Sequence, residues 1–318
     1  MQAQNDRLYL YLGWMGYKTQ IGSRSMEKLI RVERTLLVGH IISMAFGLAG
    51  ILVVLPNPDI INALPEIGKT ALPMSMAGGG VVYMLLGTAA VAAYAYRTLG
   101  LWHCLGFMIP AIGLSLVSEL LGTSTGFPFG HYHYLSGLGY KIAGLVPFTI
   151  PLSWFYIGFS AYIIARAGLE TLNIPQFLKY VGAIGFGSLL LTSWDFVLDP
   201  AMSQTSMSFW VWEEPGPFFG MPYENFTGWF GTGVVFMTVA TFIWRLKPLT
   251  LPQNDLSLPL AVYLGNFAFA TIMSLAAGIY IPILLGLVLG ILPLVVLYQM
   301  ATTKSKVSAP ERLKAEVI

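Results

Sequence analysis

The sequence predicts an all-α protein, a polytopic membrane bundle of about eight transmembrane helices with both termini in the cytoplasm. Of its 318 residues 56% are apolar and only 10% are charged, whereas soluble domains carry about 25% charged residues. Eight apolar stretches come close to the roughly 20 residues that a helix needs to cross the hydrocarbon core. The basic residues are also distributed very unevenly between alternate connecting segments.

The eight stretches are apolar on all sides, so they predict helices and not the strands of an outer-membrane barrel, which alternate in polarity over about 10 residues. They comprise Leu36–Leu55, Gly78–Tyr96, Leu101–Leu121, Ile142–Ala165, Tyr180–Leu198, Phe226–Trp244, Leu258–Ala277 and Ile279–Met300. A few residues around Arg97 separate the second stretch from the third, which predicts an antiparallel helical hairpin. The fifth is expected to end at Asp199-Pro200, because the residue before a proline disfavours helical geometry.

The Lys and Arg residues predict the orientation in the membrane. With eight spans and a cytoplasmic N-terminus, fifteen of the seventeen lie on the cytoplasmic side, and Lys69 and Lys141 lie outside. This asymmetry follows the positive-inside rule. We therefore expect a single domain over residues 1–318 in the plasma or inner membrane. Residues 1–35 would form an interfacial segment, and residues 301–318 a cytoplasmic tail.

Acidic residues are concentrated between Trp194 and Trp229, in a chain that is otherwise largely apolar. The five acids of this stretch, out of fifteen in the chain, are Asp195, Asp199, Glu213, Glu214 and Glu224. No Lys or Arg occurs from Tyr180 to Trp244. Because crowded, poorly solvated carboxylates repel one another, some of these groups should hold a proton near neutral pH. Unpaired acids gathered within a membrane protein predict a functional site.

A second polar segment follows the third span, which ends near Glu119. Residues 122–134 are rich in glycine and polar side chains, which predicts either a re-entrant turn or an outer loop folded back over the bundle. We expect Gly122, Gly126 and Gly130 to serve turns. The predicted topology places this segment and the acids after Trp194 at the same outer end of the bundle. An apolar substrate from the bilayer and water from outside could both reach that position.

Several classes of enzyme are disfavoured by what the sequence contains. Cys104 is the single cysteine, which excludes a cysteine-based metal site, and four histidines are too few for a membrane di-iron oxygenase. His131 and His133 form an H-x-H pair that could bind a metal, although a hydrated loop pair is favoured, so no metal is expected. The motifs of serine hydrolases, P-loop proteins, zinc proteases and Rossmann proteins do not occur. We expect no nucleic-acid partner.

Several motifs are distinctive in combination. They read Glu119-x-x-Gly122-Thr-x-Thr125-Gly126-x-Pro128-Phe129-Gly130-x-Tyr132-x-Tyr134, Pro151-x-x-Trp154, Trp194-Asp195-x-x-x-Asp199-Pro200, Trp210-x-Trp212, and Gly220 through Asn225 to Gly228-Trp229. Together they resemble the membrane carotenoid-biosynthesis hydratases, which include the CruF-type γ-carotene hydroxylases and the bisanhydrobacterioruberin hydratases of haloarchaea. The resemblance covers roughly residues 115–232.

The resemblance implies addition of water across the terminal 1,2 double bond of an acyclic ψ end group, giving a tertiary alcohol without a redox cofactor. The implied partners are γ-carotene, lycopene or a related polyene, together with water and the lipid bilayer. Other enzymes of carotenoid biosynthesis are further candidate partners.

Acid catalysis of this reaction needs a proton donor for carbon 2 and a group that orients water towards the tertiary cation at carbon 1. We expect Asp195 to donate the proton, Asp199 to orient water and Glu119 to complete the set, although Asp195 and Asp199 could exchange roles. Aromatic faces could stabilise the cation by about 0.5–2 kcal/mol each. The candidate substrate-binding residues are Trp194, Trp210, Trp212, Tyr132, Tyr134, Trp154, Glu224, Asn225 and Trp229.

Two alternatives remain at this point. A metal-dependent prenyltransferase would use the D-x-x-x-D pair to hold Mg²⁺ against a diphosphate, but basic residues for the phosphates are scarce near the acids. A proton-coupled transporter of a lipophilic substrate would use the acids as a relay. That alternative favours acids near the middle of the membrane, whereas these acids are expected at one end.

Overall fold

The computed structural model describes residues 2–204 and 208–315, with side chains for 26–75, 78–204 and 208–303. Within these ranges the protein is an α-helical bundle with four short strands, so the predicted all-α class is confirmed. The helices are α1 (Gln2–Ala49), α2 (Pro58–Ala63), α3 (Glu66–Thr125), α4 (Thr149–Glu170), α5 (Gln176–Gln204), α6 (Tyr223–Trp244), α7 (Ser257–Ala276), α8 (Ile281–Gly286) and α9 (Leu292–Ala315). One π-helical turn, Gly50–Val54, extends α1, and another, Leu287–Ile291, joins α8 to α9.

Seven helical segments of the described chain are long and apolar enough to cross a membrane. They are Met26–Val54, Gly78–Thr125, Thr149–Glu170, Gln176–Gln204, Tyr223–Trp244, Ser257–Ala276 and Ile281–Thr303. The sequence predicted eight because it separated residues 78–96 from residues 101–121. Both stretches lie within α3, which accounts for the difference.

Helix α3 folds back on itself at Gly100, whose φ of 80° and ψ of 168° are not helical. The Cys104 thiol donates to the carbonyl oxygen of Ala92, 3.6 Å away. Residues twelve positions apart in a straight helix would be separated by about 18 Å along its axis. The chain therefore reverses direction, and the two arms of α3 form the hairpin that the sequence predicted. Glycine suits this position because its positive φ is strained for other residues.

Helix α4 is the centre of the bundle. Every residue from Thr149 to Leu169 is buried except Leu152. The helix begins later than predicted, because residues 141–147 form the two short strands β2 (Lys141–Ile142) and β3 (Val146–Pro147).

Helix α5 passes through Pro200 and ends at Gln204, so the expected end at Asp199-Pro200 is wrong. Pro200 has no N–H to donate to the preceding turn, but the residues after it are held by packing. Ala201 and Met202 are both buried. The additional turn keeps Asp195 and Asp199 inside one continuous helix.

A two-stranded antiparallel ribbon closes the end of the bundle at which α3 and α5 finish and α6 begins. Strand β1 (Tyr132–Tyr134) follows α3, and β4 (Trp210–Trp212) follows α5. Tyr132 pairs with Trp212, and Tyr134 pairs with Trp210. We call this pair of strands the β1–β4 ribbon.

The predicted interfacial segment and cytoplasmic tail depend on residues 1–25 and 304–318, whose side chains lie outside the described ranges. Both remain predictions, as does the assignment of residues 1–318 to one domain.

Candidate active site

A small cavity lies beneath the β1–β4 ribbon. Its volume is about 50 Å³, which is enough for a few water molecules. The three predicted catalytic residues, Glu119, Asp195 and Asp199, all line it. Glu119 comes from the end of α3, and the two aspartates lie one turn apart on α5. All three are almost fully buried, with exposed fractions of 2%, 1% and 4%.

Glu119 is held by three neutral donors. The Tyr132 hydroxyl donates to Oε2, and the Tyr134 hydroxyl donates to the same oxygen at 2.8 Å. The Trp154 indole N–H donates to Oε1 at 2.9 Å. Burial and the neighbouring Glu119 carboxyl raise the pKa of Tyr132 and Tyr134 well above the ordinary value for a phenol. Both phenols therefore stay protonated, and Glu119 receives hydrogen bonds on both of its oxygens.

Asp199 is held by two indole groups from β4. The N–H of Trp212 donates to Oδ1 at 2.9 Å, and the N–H of Trp210 donates to Oδ2 at 3.1 Å. An ionised carboxylate acts purely as an acceptor, whereas a protonated carboxyl group carries one O–H donor. Two donors, one on each oxygen, suit the ionised form of Asp199.

Asp195 has a different environment. The side-chain amide of Asn225, near the start of α6, donates to its Oδ2 at 2.8 Å. Its other oxygen, Oδ1, has no hydrogen-bond partner in the described part of the chain. An oxygen without a protein partner suits a protonated carboxyl group, because the O–H can point into the cavity.

The β1–β4 ribbon explains how two distant segments supply these donors. Alternate residues of a strand point to the same side, so the Y-x-Y of β1 and the W-x-W of β4 all face the carboxyl groups. The residues between them face outward, and His133 is exposed, as is His131. The two histidines are thus placed as a surface pair outside the cavity.

An aromatic wall forms another side of the site. The rings of Trp154 and Trp229 stack at 3.9 Å with an interplanar angle of 15°. Trp194 meets Trp229 edge to face at 5.8 Å. The Trp194 indole N–H donates to the backbone oxygen of Asn266 at 3.2 Å, which fixes the orientation of this ring.

No cation balances the three carboxyl groups in the described structure. Neither Lys nor Arg lines the cavity, and none of the three acids forms an ion pair among the described residues. The Lys141 ammonium donates to the Tyr134 backbone oxygen at 2.6 Å without lining the cavity. The donors around the acids are therefore uncharged.

Ten of the twelve predicted site residues line the cavity. Trp154 does not line it, because it is fully buried behind Trp229 and reaches the site through its bond to Glu119. Glu224 also lies outside. It is exposed at the start of α6, where the neighbouring Asn225 faces the cavity instead. Glu213 and Glu214 are exposed as well.

Gly122 has a different purpose from the turn that was expected of it. It lies within α3, and a Cβ atom there would approach the Phe129 ring to 2.6 Å. Gly122 therefore allows the loop after α3 to pack closely over the site. Gly126 does serve a turn, because it ends α3 with a φ of 81°.

Several residues near the site were not identified from the sequence. Tyr83 and Met202 line the cavity although neither belongs to a recognisable motif. Behind Trp194, the Asn266 side-chain amide donates to His40 at 3.0 Å and accepts from the Tyr156 hydroxyl at 3.4 Å. A lone polar residue in an apolar helix was the one available signal for Asn266.

The long apolar helices and the buried acids under the β1–β4 ribbon define a multi-pass membrane protein with an acidic cavity. A family model described as "Carotenoid biosynthesis protein" matches residues 79–293, which is 215 of 318 residues and includes the whole cavity. The chain belongs to this carotenoid biosynthesis family, and the resemblance found in the sequence is confirmed.

A curated relative is named bisanhydrobacterioruberin hydratase, from Haloarcula japonica. The two chains are 31% identical over 134 residues, which is 41% of this chain and 43% of the relative. The match therefore spans less than half the length of that relative. No solved structure matches the chain.

Proposed function

We propose that this protein is a carotenoid hydratase that adds water across the terminal 1,2 double bond of an acyclic ψ end group. The observation that carries the proposal is the set of three buried acids around one cavity without a cation among the described residues that line it. Membership of the carotenoid biosynthesis family and the name of the Haloarcula japonica relative support the same reaction.

The hydrogen bonds support different roles for the two aspartates. Asp195 is the proton donor, because Oδ1 has no partner among the described residues while Oδ2 accepts from Asn225. Asp199 is the ionised partner, because both of its oxygens accept indole N–H bonds. The sequence alone left these roles interchangeable.

The reaction proceeds without oxidation or reduction. The proton on Asp195 Oδ1 is transferred to carbon 2, a C–H bond forms, and the alkene electron pair is lost from carbon 1, which becomes a tertiary cation. Water attacks carbon 1 and passes a proton to Asp199 as the C–O bond forms. Transfer of that proton to Asp195 restores the starting state, so the net change is the addition of one water molecule.

The walls of the cavity suit a cationic intermediate. The carboxyl groups of Glu119 and Asp199 and the rings of Trp194, Trp210 and Trp229 line the same space. An indole face can stabilise a cation by about 0.5–2 kcal/mol, depending on desolvation. These groups lower the barrier without forming a covalent bond to the substrate.

The orientation in the membrane is part of the proposal. We count the two arms of α3 separately, which gives eight crossings with both termini in the cytoplasm. The cavity then faces the non-cytoplasmic side of the plasma or inner membrane, in agreement with the positive-inside rule. The partners are an acyclic carotenoid such as γ-carotene or lycopene, water and the bilayer, with other carotenoid-biosynthesis enzymes as neighbours. No cofactor takes part in the proposed reaction.

The direct test is expression in bacteria that accumulate lycopene or γ-carotene. The expected product has gained the mass of one water molecule. Under strict anaerobiosis the product should still form, and incubation of the purified protein with preformed, unlabelled substrate in deuterated water should place one deuterium on carbon 2. Loss of the product without oxygen, or hydroxyl oxygen derived from O₂, would contradict the hydratase assignment.

The two other candidate functions predict different results. A prenyltransferase would require a divalent metal and a diphosphate, although neither Lys nor Arg is found among the described residues that line the cavity. Hydration that persists in excess chelator would exclude it. A proton-coupled transporter would move substrate across liposomes without changing its mass.

A further inference from the structure

A second cavity lies beside the acidic one, between α1, the first arm of α3 and α7. Its volume is about 80 Å³. The lining consists of apolar side chains and glycine backbone, apart from Ser43, Ser75 and Tyr83. No charged side chain is found among the described residues that line it. We call this cavity the α1–α3 groove.

The α1–α3 groove is adjacent to the acidic cavity. Tyr83, Leu138 and Met202 line both spaces, so these three side chains form the wall between them. The Tyr83 ring stacks on Phe269, with centroids 6.0 Å apart and an interplanar angle of 25°. The shared wall therefore presents aromatic and apolar side chains to the groove.

The groove is open because glycines lie along it. Gly47, Gly50 and Gly79 line it, and a Cβ atom added at any of them would have no neighbour within 4 Å. Gly50 also starts the π-helical turn that extends α1. The groove reaches the outer surface of the bundle at Phe46, whose side chain is 65% exposed. In the proposed membrane orientation, this opening faces lipid.

We propose that the α1–α3 groove binds the polyene chain of the substrate and that the end group enters the acidic cavity past Tyr83, Leu138 and Met202. This inference rests on the proposed function. A polyene is long, flat and without hydrogen-bonding groups, so its binding site must be apolar and open to the bilayer from which it comes. The groove meets both requirements and shares Tyr83, Leu138 and Met202 with the cavity that holds the carboxyl groups.

The test fills the groove without disturbing the acids. Gly79→Leu and Gly47→Phe each introduce a side chain into the open space, and the two positions lie on different helices. Gly113→Leu is the matched control, because Gly113 is also in α3 and also has no neighbour within 4 Å of an added Cβ, but does not line the groove. Thermal unfolding in detergent identifies any variant that fails to fold.

Binding is measured separately from turnover. Each substitution is combined with Asp195→Asn, the protein is purified from lycopene-producing cells, and the bound polyene is quantified by absorbance per protein molecule. We expect Asp195→Asn alone and with Gly113→Leu to retain polyene. Gly79→Leu and Gly47→Phe should each lower retention about tenfold or more, as expected for added methylene groups in an apolar pocket.

Turnover by the same groove variants with Asp195 intact distinguishes the two proposals. A rise in KM of about tenfold or more with little change in kcat supports the groove as the polyene site. The groove variants could lose bound polyene selectively while no protein, not even the unmodified one, hydrates it. That result would support the groove as the polyene site and contradict the hydratase proposal. Unchanged polyene retention and KM in both folded groove variants would overturn the groove assignment. Loss of co-purified phospholipid instead of polyene would show that a bilayer lipid occupies the groove and would also overturn it.

Discussion

Buried acids at opposite ends of the bundle have opposite electrostatic surroundings. At the end where α3 reverses, Glu33 accepts from Arg97 through Nε at 2.8 Å and through Nη2 at 2.7 Å. Arg97 also pairs with Asp255 at 2.8 Å, which ties α1 and α3 to the segment before α7. At the other end, Glu119, Asp195 and Asp199 receive hydrogen bonds from neutral groups alone, among the described residues.

The comparison separates a structural acid from a chemically available one. Glu33 is 3% exposed, and Asp195 is 1% exposed, so burial does not distinguish them. The difference is the partner. The Arg97 guanidinium binds Glu33 in a bidentate way and occupies both of its oxygens, whereas Asp195 keeps one oxygen free of protein partners in the described structure. An acid with a free oxygen can exchange a proton with a substrate.

The largest expected effect is that of Asp195→Asn. Asparagine preserves the size of the side chain but carries no transferable proton, so hydration should fall by about 10²–10⁴-fold, the usual contribution of general acid catalysis. Pigment mass analysis measures the loss. The thermal unfolding temperature should be unchanged or slightly raised, because a buried acid is removed. Hydration within tenfold of the unmodified protein would remove Asp195 from its proposed role.

Arg97→Ala should produce a structural defect instead of a catalytic one. Removing the cation leaves Glu33 buried and unpaired, which costs about 3–5 kcal/mol. We expect a large drop in the thermal unfolding temperature in detergent, with near-normal activity per folded molecule. Replacing both partners, with Arg97→Met and Glu33→Leu, should recover much of the loss. A variant as stable as the unmodified protein would contradict the structural role.

Trp212→Phe tests the neutral donors around Asp199. The substitution keeps an aromatic ring but deletes the N–H that bonds Oδ1 at 2.9 Å. A hydrogen bond to a charged group contributes about 1.5–3 kcal/mol, so kcat should fall roughly 10–100-fold. KM for the polyene should change less, because apolar contact is retained. Trp102→Phe is a suitable control, because it deletes an indole N–H that is exposed and donates to the Ile243 backbone oxygen, away from the cavity.

The smallest effects are expected for polar residues that the structure places outside the cavity. Glu224→Gln, His131→Ala and His133→Ala should each leave activity within about twofold, as is usual for exposed positions. The hydration activity of the two histidine variants should be the same with and without a metal chelator. A loss of more than tenfold at Glu224 would show that this exposed carboxylate contributes to substrate binding or catalysis after all.

The sequence predicted the features that depend on composition and local spacing. Sequence analysis could identify the long apolar helices, the Asp195–Asp199 pair and the aromatic motifs, because the residues of each feature lie close together in the chain. The sequence predicted eight spans and the structure has seven candidate segments, because the two predicted helices on either side of Gly100 both belong to α3. Glu224 was grouped with Asn225 by proximity, but adjacent helical residues point in different directions.

Long-range placement could not be predicted from the sequence. Nothing local indicates that Tyr83 meets the loop at Leu138 and the end of α5 at Met202 to separate two cavities. The pairing of β1 with β4 joins segments that are distant in the chain. The two motifs predicted aromatic residues near the acids, but their shared orientation depends on a register that only the folded chain defines.

That register has a consequence for how the protein can change. Because the side-chain period of a strand is two, inserting or deleting one residue in β1 or β4 would turn its rings from the acids towards the surface. A shift in β1 would remove two donors from Glu119, and a shift in β4 would remove both donors from Asp199. Length is therefore far more constrained than residue identity in these two three-residue segments, and viable variants should exchange one aromatic side chain for another before they gain or lose a position.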